Sequence, residues 1–323
     1  MAKGHVAIRK SGESRIQFFE LTQSTSHSSL KFYWRAFNKN ESPLVFDLIE
    51  VKEKSFPLSF SADVPEDQSY EAYLKMIAST VSEIQAKNWD KVVMSRTKKV
   101  DFSSARAFEL LDRLSEKYPD ATVYLFSHPQ IGSWMGATPE KLITRKGNDV
   151  TSMSLAGTQQ KPEDFTSKEI EEQKPVTRFI LEKFAENKAL HEVLAAPVER
   201  VKAGPVNHLR SMVSAKANNG FKTSEMAENL HPTPAVGGSP RNEALTYISE
   251  NEAYSRSFYA GYFGISQKNT DNFYVNLRCM QLFKDHCVLY AGGGITANSN
   301  PEAEWLETEH KMQTLQDFLK NYA

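Results

Sequence analysis

The order of local signals predicts one integrated α+β domain. Segments with helical and with strand-like periodicity alternate along the chain. No fixed-period repeat, low-complexity tract or linker-like break separates them. With 323 residues, of which 40% are hydrophobic and 24% charged, the chain can bury a sizeable core. Residues 1–323 are therefore read as a single unit. Residues 1–65 form a variable N-terminal part, and 66–323 carry every motif considered below.

Before Pro65, short apolar runs such as 30–37 (LKFYWRAF) between polar turns predict a few strands. Residues 69–88 predict an amphipathic helix, because Tyr73, Met76, Ile77, Val81 and Ile84 fall close to one face. Residues 91–96 (KVVMSR) read as a short buried strand. Residues 103–118 predict a helix with a serine cap, and 121–128 a strand. Residues 133–140 read as a turn entering a strand at 141–146, and 150–159 as strand then loop. A charged helix is expected over about 166–190, with Pro175 expected to kink it. The Gly/Pro-rich stretch 231–240 reads as loop. Strands follow at 258–265 and 272–283, then 287–296 and a terminal helix from Pro301.

Charge excludes several classes. Against 39 Lys and Arg stand 40 Asp and Glu, a net charge of −1, so the basic surplus needed on a nucleic acid is missing. Mean hydropathy is −0.50, and no apolar run reaches the roughly 18 residues that span a bilayer. The first residues lack the apolar segment of a secretory signal. Cys279 and Cys287 fit neither a disulfide framework nor zinc spacing. A cytoplasmic location, without nucleic-acid or membrane partners, is expected.

Three constellations bear on chemistry. Gly292-Gly293-Gly294-Ile-Thr-Ala297 matches a dinucleotide-binding pattern, but no second strand follows to complete a βαβ unit. The useful content of this run is backbone that a ligand can approach closely. Glu169 with Glu172, and Glu304 with Glu307, are spaced i,i+3 on probable helices. Two such pairs offer oxygen ligands to Mg²⁺, or are simply solvated. Thr166 with Glu169 and Ser299 with Glu302 also read as capping boxes. Lys91, Glu140 and Arg278 sit in apolar, strand-like settings. They are either solvated at strand ends, or a base, an acid and a carboxylate clamp in a cleft.

KVVMSR, GATPEKL, SLAGTQ, the Glu-x-x-Glu after Ser-Lys, HPTPAVGGSP, FYAGYFG, LRC and YAGGGIT…EAEWLETEHKM stand in this order between Lys91 and Lys311. In this the chain resembles the chorismate-utilising enzymes, and among them the isochorismate synthases. The resemblance implies two stacked, mainly antiparallel sheets flanked by helices, with the site in a cleft. It implies Mg²⁺-dependent, reversible isomerisation of chorismate to isochorismate: water adds at C2 and the C4 hydroxyl leaves. Salicylate synthase, which then eliminates pyruvate, is the alternative. Lys91 resembles the general base and Glu140 the general acid. Glu172 and Glu307 resemble direct Mg²⁺ ligands, and Glu169 and Glu304 the carboxylates that hold its waters. Arg278 and Lys311 resemble carboxylate clamps. Ala156, Gly157, Thr158, His231, Tyr290, Gly293 and Gly294 resemble pocket-lining residues. The stretch Glu252-x-Tyr254-x-Arg256 and HPTPAVGG favour the isochorismate synthases, whose pathways lead to menaquinone or siderophores. Gln173 stands where the family usually has histidine. No glutaminase subunit and a monomeric state are expected.

Overall fold

The computed structural model describes residues 3–25, 28–38, 40–159, 161, 165–203 and 206–319. The N-terminal part holds four strands: β1 (Gly4–Arg9), β2 (Gln17–Gln23), β3 (Leu30–Arg35) and β4 (Leu44–Val51). Helix α1 (Tyr70–Lys87) starts where the Ser69 side chain accepts from the Ala72 amide and ends at Asn88, whose φ is 53°. Its buried face is Tyr73, Met76, Ile77, Thr80 and Ile84, close to the expected stripe. Strand β5 (Lys91–Asp101) leads through a 3₁₀ turn to α2 (Ala107–Lys117). Then come β6 (Thr122–His128), β7 (Gly132–Thr138), β8 (Lys141–Lys146), β9 (Asp149–Gln159) and α3 (Ser167–Glu186). Next are β10 (Leu190–Ala195), β11 (Glu199–Ala203), β12 (Val206–Ala217), α4 (Thr223–Leu230), β13 (Gly238–Ser239) and α5 (Arg241–Asn251). Strands β14 (Tyr262–Gln267), β15 (Thr270–Val275), β16 (Cys279–Leu282) and β17 (His286–Ile295) precede α6 (Pro301–Leu319).

The 17 strands among the described residues join one antiparallel ladder. From β12 it runs through β9, β8, β15, β14 and β3. It turns through β4 and β2 and returns through β1, β6, β7, β16, β17, β5 and β13. Strands β10 and β11 pair with β12. The two expected layers are thus halves of one folded ribbon. Their inner faces meet where Trp34 stacks on Phe126 at 4.4 Å and Tyr124 packs on Phe263 at 4.6 Å.

Several expectations are corrected. Residues 132–138 form a buried strand rather than a turn, because the segment pairs with β6 on one side and β16 on the other. Residues 258–265 are strand only from Tyr262. The single strand expected over 272–283 is two, broken where Arg278 takes a φ of 49°. Residues 103–118 begin as a 3₁₀ turn, and Ser103 makes no side-chain cap. Strands β10 to β12 and helices α4 and α5 occupy segments where nothing regular was expected. Pro175 lies inside α3, which is assigned as one helix from Ser167 to Glu186. Asn300, not Ser299, caps α6: its side chain accepts from the Ala303 amide, and Glu302 lies exposed.

Candidate active site

Strands β5 and β17 lie side by side, with Val93 opposite Gly294 and Ser95 opposite Gly292. Strand β9 pairs with β12 in the other half of the ribbon. A cavity lies between these strands, the loop before β13 and α6. It is lined by Glu140, Ala156, Gly157, Thr158, Glu172, His208, Arg278, Tyr290, Gly292, Gly294 and Lys311, with Val93, Ala235 and Val236 as apolar wall.

Glu140 follows Pro139 just beyond β7, and only 3% of it is exposed. Burial raises its carboxyl to about 8, against the opposing pull of the Lys91 and Lys311 ammonium groups. At neutral pH it is a carboxylic acid with a proton to give.

Lys91 is completely buried at the start of β5. Its Nζ donates to Glu172 Oε1 at 3.0 Å, so it sits one carboxylate behind the cavity surface. Gly294 makes this possible: a Cβ there would lie 2.1 Å from Glu172 Oε1 and 3.0 Å from Lys91 Nζ.

Arg278 is presented by the break between β15 and β16. Its Nη1 donates to Lys311 O and Thr314 Oγ1, both at 3.1 Å, and Nη2 approaches His208 Nε2 at 3.1 Å. Burial brings its guanidinium down to about 10. A guanidinium has only donors, so His208 Nε2 accepts, and the ring hydrogen is assigned to Nδ1, which donates to Gly157 O at 3.1 Å. Burial, and then the Arg278 charge, hold His208 well below its ordinary range, so the ring is neutral. Lys311 Nζ donates to Glu307 Oε1 at 2.6 Å and to Gly292 O at 2.8 Å.

Of the residues expected in the site, Glu140, Ala156, Gly157, Thr158, Glu172, Arg278, Tyr290, Gly294 and Lys311 line one cavity. Gly293 is not in that lining, its side-chain position being turned toward Glu304 on α6. Nor is His231, and both outcomes correct the expectation. His231 Nε2 lies 3.1 Å from Ala36 O, and the ring packs edge-on against Tyr262 in the core. Burial lowers it to about 3, as a neutral core histidine. His208 went unanticipated. The signal was the period-two alternation of buried residues from Leu209 to Ala217, which marks the strand that carries it.

The four paired glutamates have protein partners. Glu172 and Glu307 hold lysines. Glu169 accepts from the Thr166 amide and hydroxyl and from Gln159 Nε2, as a helix cap does. Glu304 Oε1 accepts from Ser299 Oγ at 2.6 Å. Among the described residues no three His, Cys, Asp or Glu side chains are gathered as a metal cluster. The donor chemistry nevertheless fits a hard cation, being carboxylate oxygen throughout. A Cβ at Gly293 would lie 2.8 Å from Glu304 Oε2 and 3.9 Å from Glu307 Oε1, so bare backbone leaves room beside both carboxylates.

The profile of the family described as chorismate binding enzyme matches residues 8–320. Isochorismate synthase EntC of Escherichia coli (strain K12) is 27% identical over 87% of this chain and 74% of its own length. Isochorismate synthase MenF of Bacillus subtilis (strain 168) is 31% identical over 77% of this chain and 56% of its own. The solved structure of MenF, the menaquinone-specific isochorismate synthase from Escherichia coli, aligns with a TM-score of 0.81 at 20% identity, covering 98% of this chain and 88% of that one. At that identity the structural likeness establishes the fold. No helix among the described residues is long and apolar enough to cross a membrane.

Proposed function

The chain belongs to the chorismate-binding enzymes, and from that premise we propose that it is an isomerase converting chorismate to isochorismate. The observation that carries this reading is the pairing of a protonated, buried Glu140 with a fully buried Lys91 beside one cavity. Chorismate carries two carboxylates. Arg278 and Lys311 supply the cations that orient it, with the guanidinium aimed by His208 and Thr314. The Lys91 amine, once free of its proton, takes a proton from water as the oxygen bonds to C2 of the ring. The double bonds shift, and the C4 hydroxyl departs as water with the proton of Glu140. Lys91 finishes as ammonium and Glu140 as carboxylate, and proton exchange with solvent resets both. Each proton transfer is worth about 10²–10⁴-fold in rate.

In this reading Glu172 and Glu307 would hold Mg²⁺ directly, with Glu169 and Glu304 behind them. The ion supplies positive charge for a substrate carboxylate. Glu172 and Glu307 would leave their lysines to bind it. The test is incubation of purified protein with chorismate and Mg²⁺, with products separated by chromatography. A mixture of chorismate and isochorismate is expected. Abundant salicylate and pyruvate would transfer the assignment to a salicylate synthase, and unchanged chorismate would end it.

A further inference from the structure

The stretch Glu252-x-Tyr254-x-Arg256 lies outside the roles assigned above. Strand β5 is paired with β17 along one edge. On its other edge β13 supplies only two residues, Gly238 opposite Val92 and Ser239 opposite Lys91. The Val93 amide then reaches Gly237 O at 2.9 Å. Beyond this the next two backbone groups on that edge, Val93 O and Ser95 N, meet no strand among the described residues. Two side chains take the strand's place. Arg256 Nη2 donates to Val93 O at 2.6 Å, and Ser95 N donates to Glu252 Oε1 at 2.7 Å. The pair is closed on itself, Arg256 Nε donating to Glu252 Oε2 at 2.7 Å and Nη2 to Oε1 at 2.6 Å. Both side chains are only 2% exposed. Arg256 Nη1 donates to Val236 O at 2.8 Å, so one guanidinium ties β5 to the loop before β13. Val93 and Val236, the two residues it ties, both line the cavity. The Ser95 hydroxyl lies 2.6 Å from Glu252 Oε1 and 2.7 Å from Tyr254 Oη. The Tyr254 ring is 6.0 Å from that of Tyr290 on the cavity wall.

We propose that Glu252 and Arg256 are positioning residues for Lys91: their ion pair completes the edge of β5 where β13 stops and holds the lysine against the cavity. A buried pair of charges is poor value for stability alone, since apolar replacements are often as stable. A fixed guanidinium fork, by contrast, sets two backbone carbonyls at a defined separation. Lys91 is two residues from Val93 on this strand, so an error in that separation is passed to its ammonium.

The inference rests on reading Lys91 as the base, and its test separates the two. Arg256→Lys keeps the charge and loses the fork. Its kcat should fall about 10²-fold, the cost of misplacing a reacting group by about an ångström, with KM for chorismate and melting temperature nearly unchanged. A folded variant with parental kcat overturns the proposal. So does a rise in KM alone, or a loss of kcat that only tracks the unfolded fraction. Should Arg256→Lys not fold, Ser95→Ala removes one hydroxyl from the network. A lowered kcat at parental KM then supports the proposal, and parental kcat overturns it. If the parent leaves chorismate unchanged, the functional reading fails, and a crystal structure of Arg256→Lys decides the positioning claim. Lys91 Nζ drawn away from Glu172 supports it, and an unaltered 3.0 Å contact overturns it.

Discussion

Glu140 is protonated at neutral pH because the free energy of hydrating a carboxylate is lost in its cleft, and two nearby ammonium groups do not recover it. Its value of about 8 lies above the ordinary 4.5, so between these limits the folded protein holds a proton that the unfolded chain has released. Stability from this group is therefore present in full below pH 4.5 and declines as pH rises toward about 8. Glu140→Gln should abolish that decline, which melting temperatures measured across the window without metal would show. The same variant should lose about 10²–10⁴-fold in kcat, and with it any alkaline limb that Glu140 imposes on the rate profile. Retained activity, or an unchanged pH–stability curve, would remove Glu140 as the proton donor. His208 illustrates the complementary case: burial and a neighbouring guanidinium keep the ring neutral, while the guanidinium and the Gly157 carbonyl fix its tautomer.

At the level of elements, the site depends on where regular structure is interrupted or stripped of side chains. The break between β15 and β16 turns Arg278 toward the cavity, whereas an unbroken strand over 272–283 would have kept it in the pleat. The glycines of β17 let α3 and α6 bring their carboxylates onto bare backbone. Gly294→Ala should displace the Glu172 carboxylate and the Lys91 ammonium together. A folded protein with kcat lowered by about 10²-fold is expected, because the new methyl occupies their place. Circular dichroism with steady-state kinetics checks this, and parental turnover would show that the contact is not needed. Helix α3 shows a local rule met by its surroundings: it runs on through Pro175 with Val176, Ile180 and Phe184 buried in the core.

Across the molecule, Glu172 on α3 and Glu307 on α6 are anchored to different parts of the ribbon, and both face β17. An ion shared by them would link those parts in the folded state only. Mg²⁺ alone, at about 100 times its dissociation constant, should then stabilise the protein by about 2.7 kcal/mol. For a chain of this length that is a rise of about 4 °C in melting temperature, at about 1.5 °C per kcal/mol. Glu307→Gln should remove the rise. A melting temperature indifferent to Mg²⁺ in the parent would refute the assignment of these ligands.

The α1 stripe, the buried start of β5 and the terminal helix were legible in the sequence because each is set by residues close together in the chain. The ordered motifs were legible as a family signature for the same reason. Other features were not, because their causes lie far away in sequence. Residues 132–138 become a strand only between β6 and β16, while β12 is organised by pairing with β9, and β10 and β11 by pairing with β12. His231 and His208 look alike as residue types, yet one packs in the core and the other meets Arg278. The sequence by itself supplied the candidates: Glu140, Lys91, Arg278, Lys311 and two pairs of helical glutamates. Tertiary structure alone decided which of them share a cavity and which carboxylate holds which lysine. Burial and partner choice, which set the protonation of Glu140 and His208, exist only once distant strands have closed around those side chains.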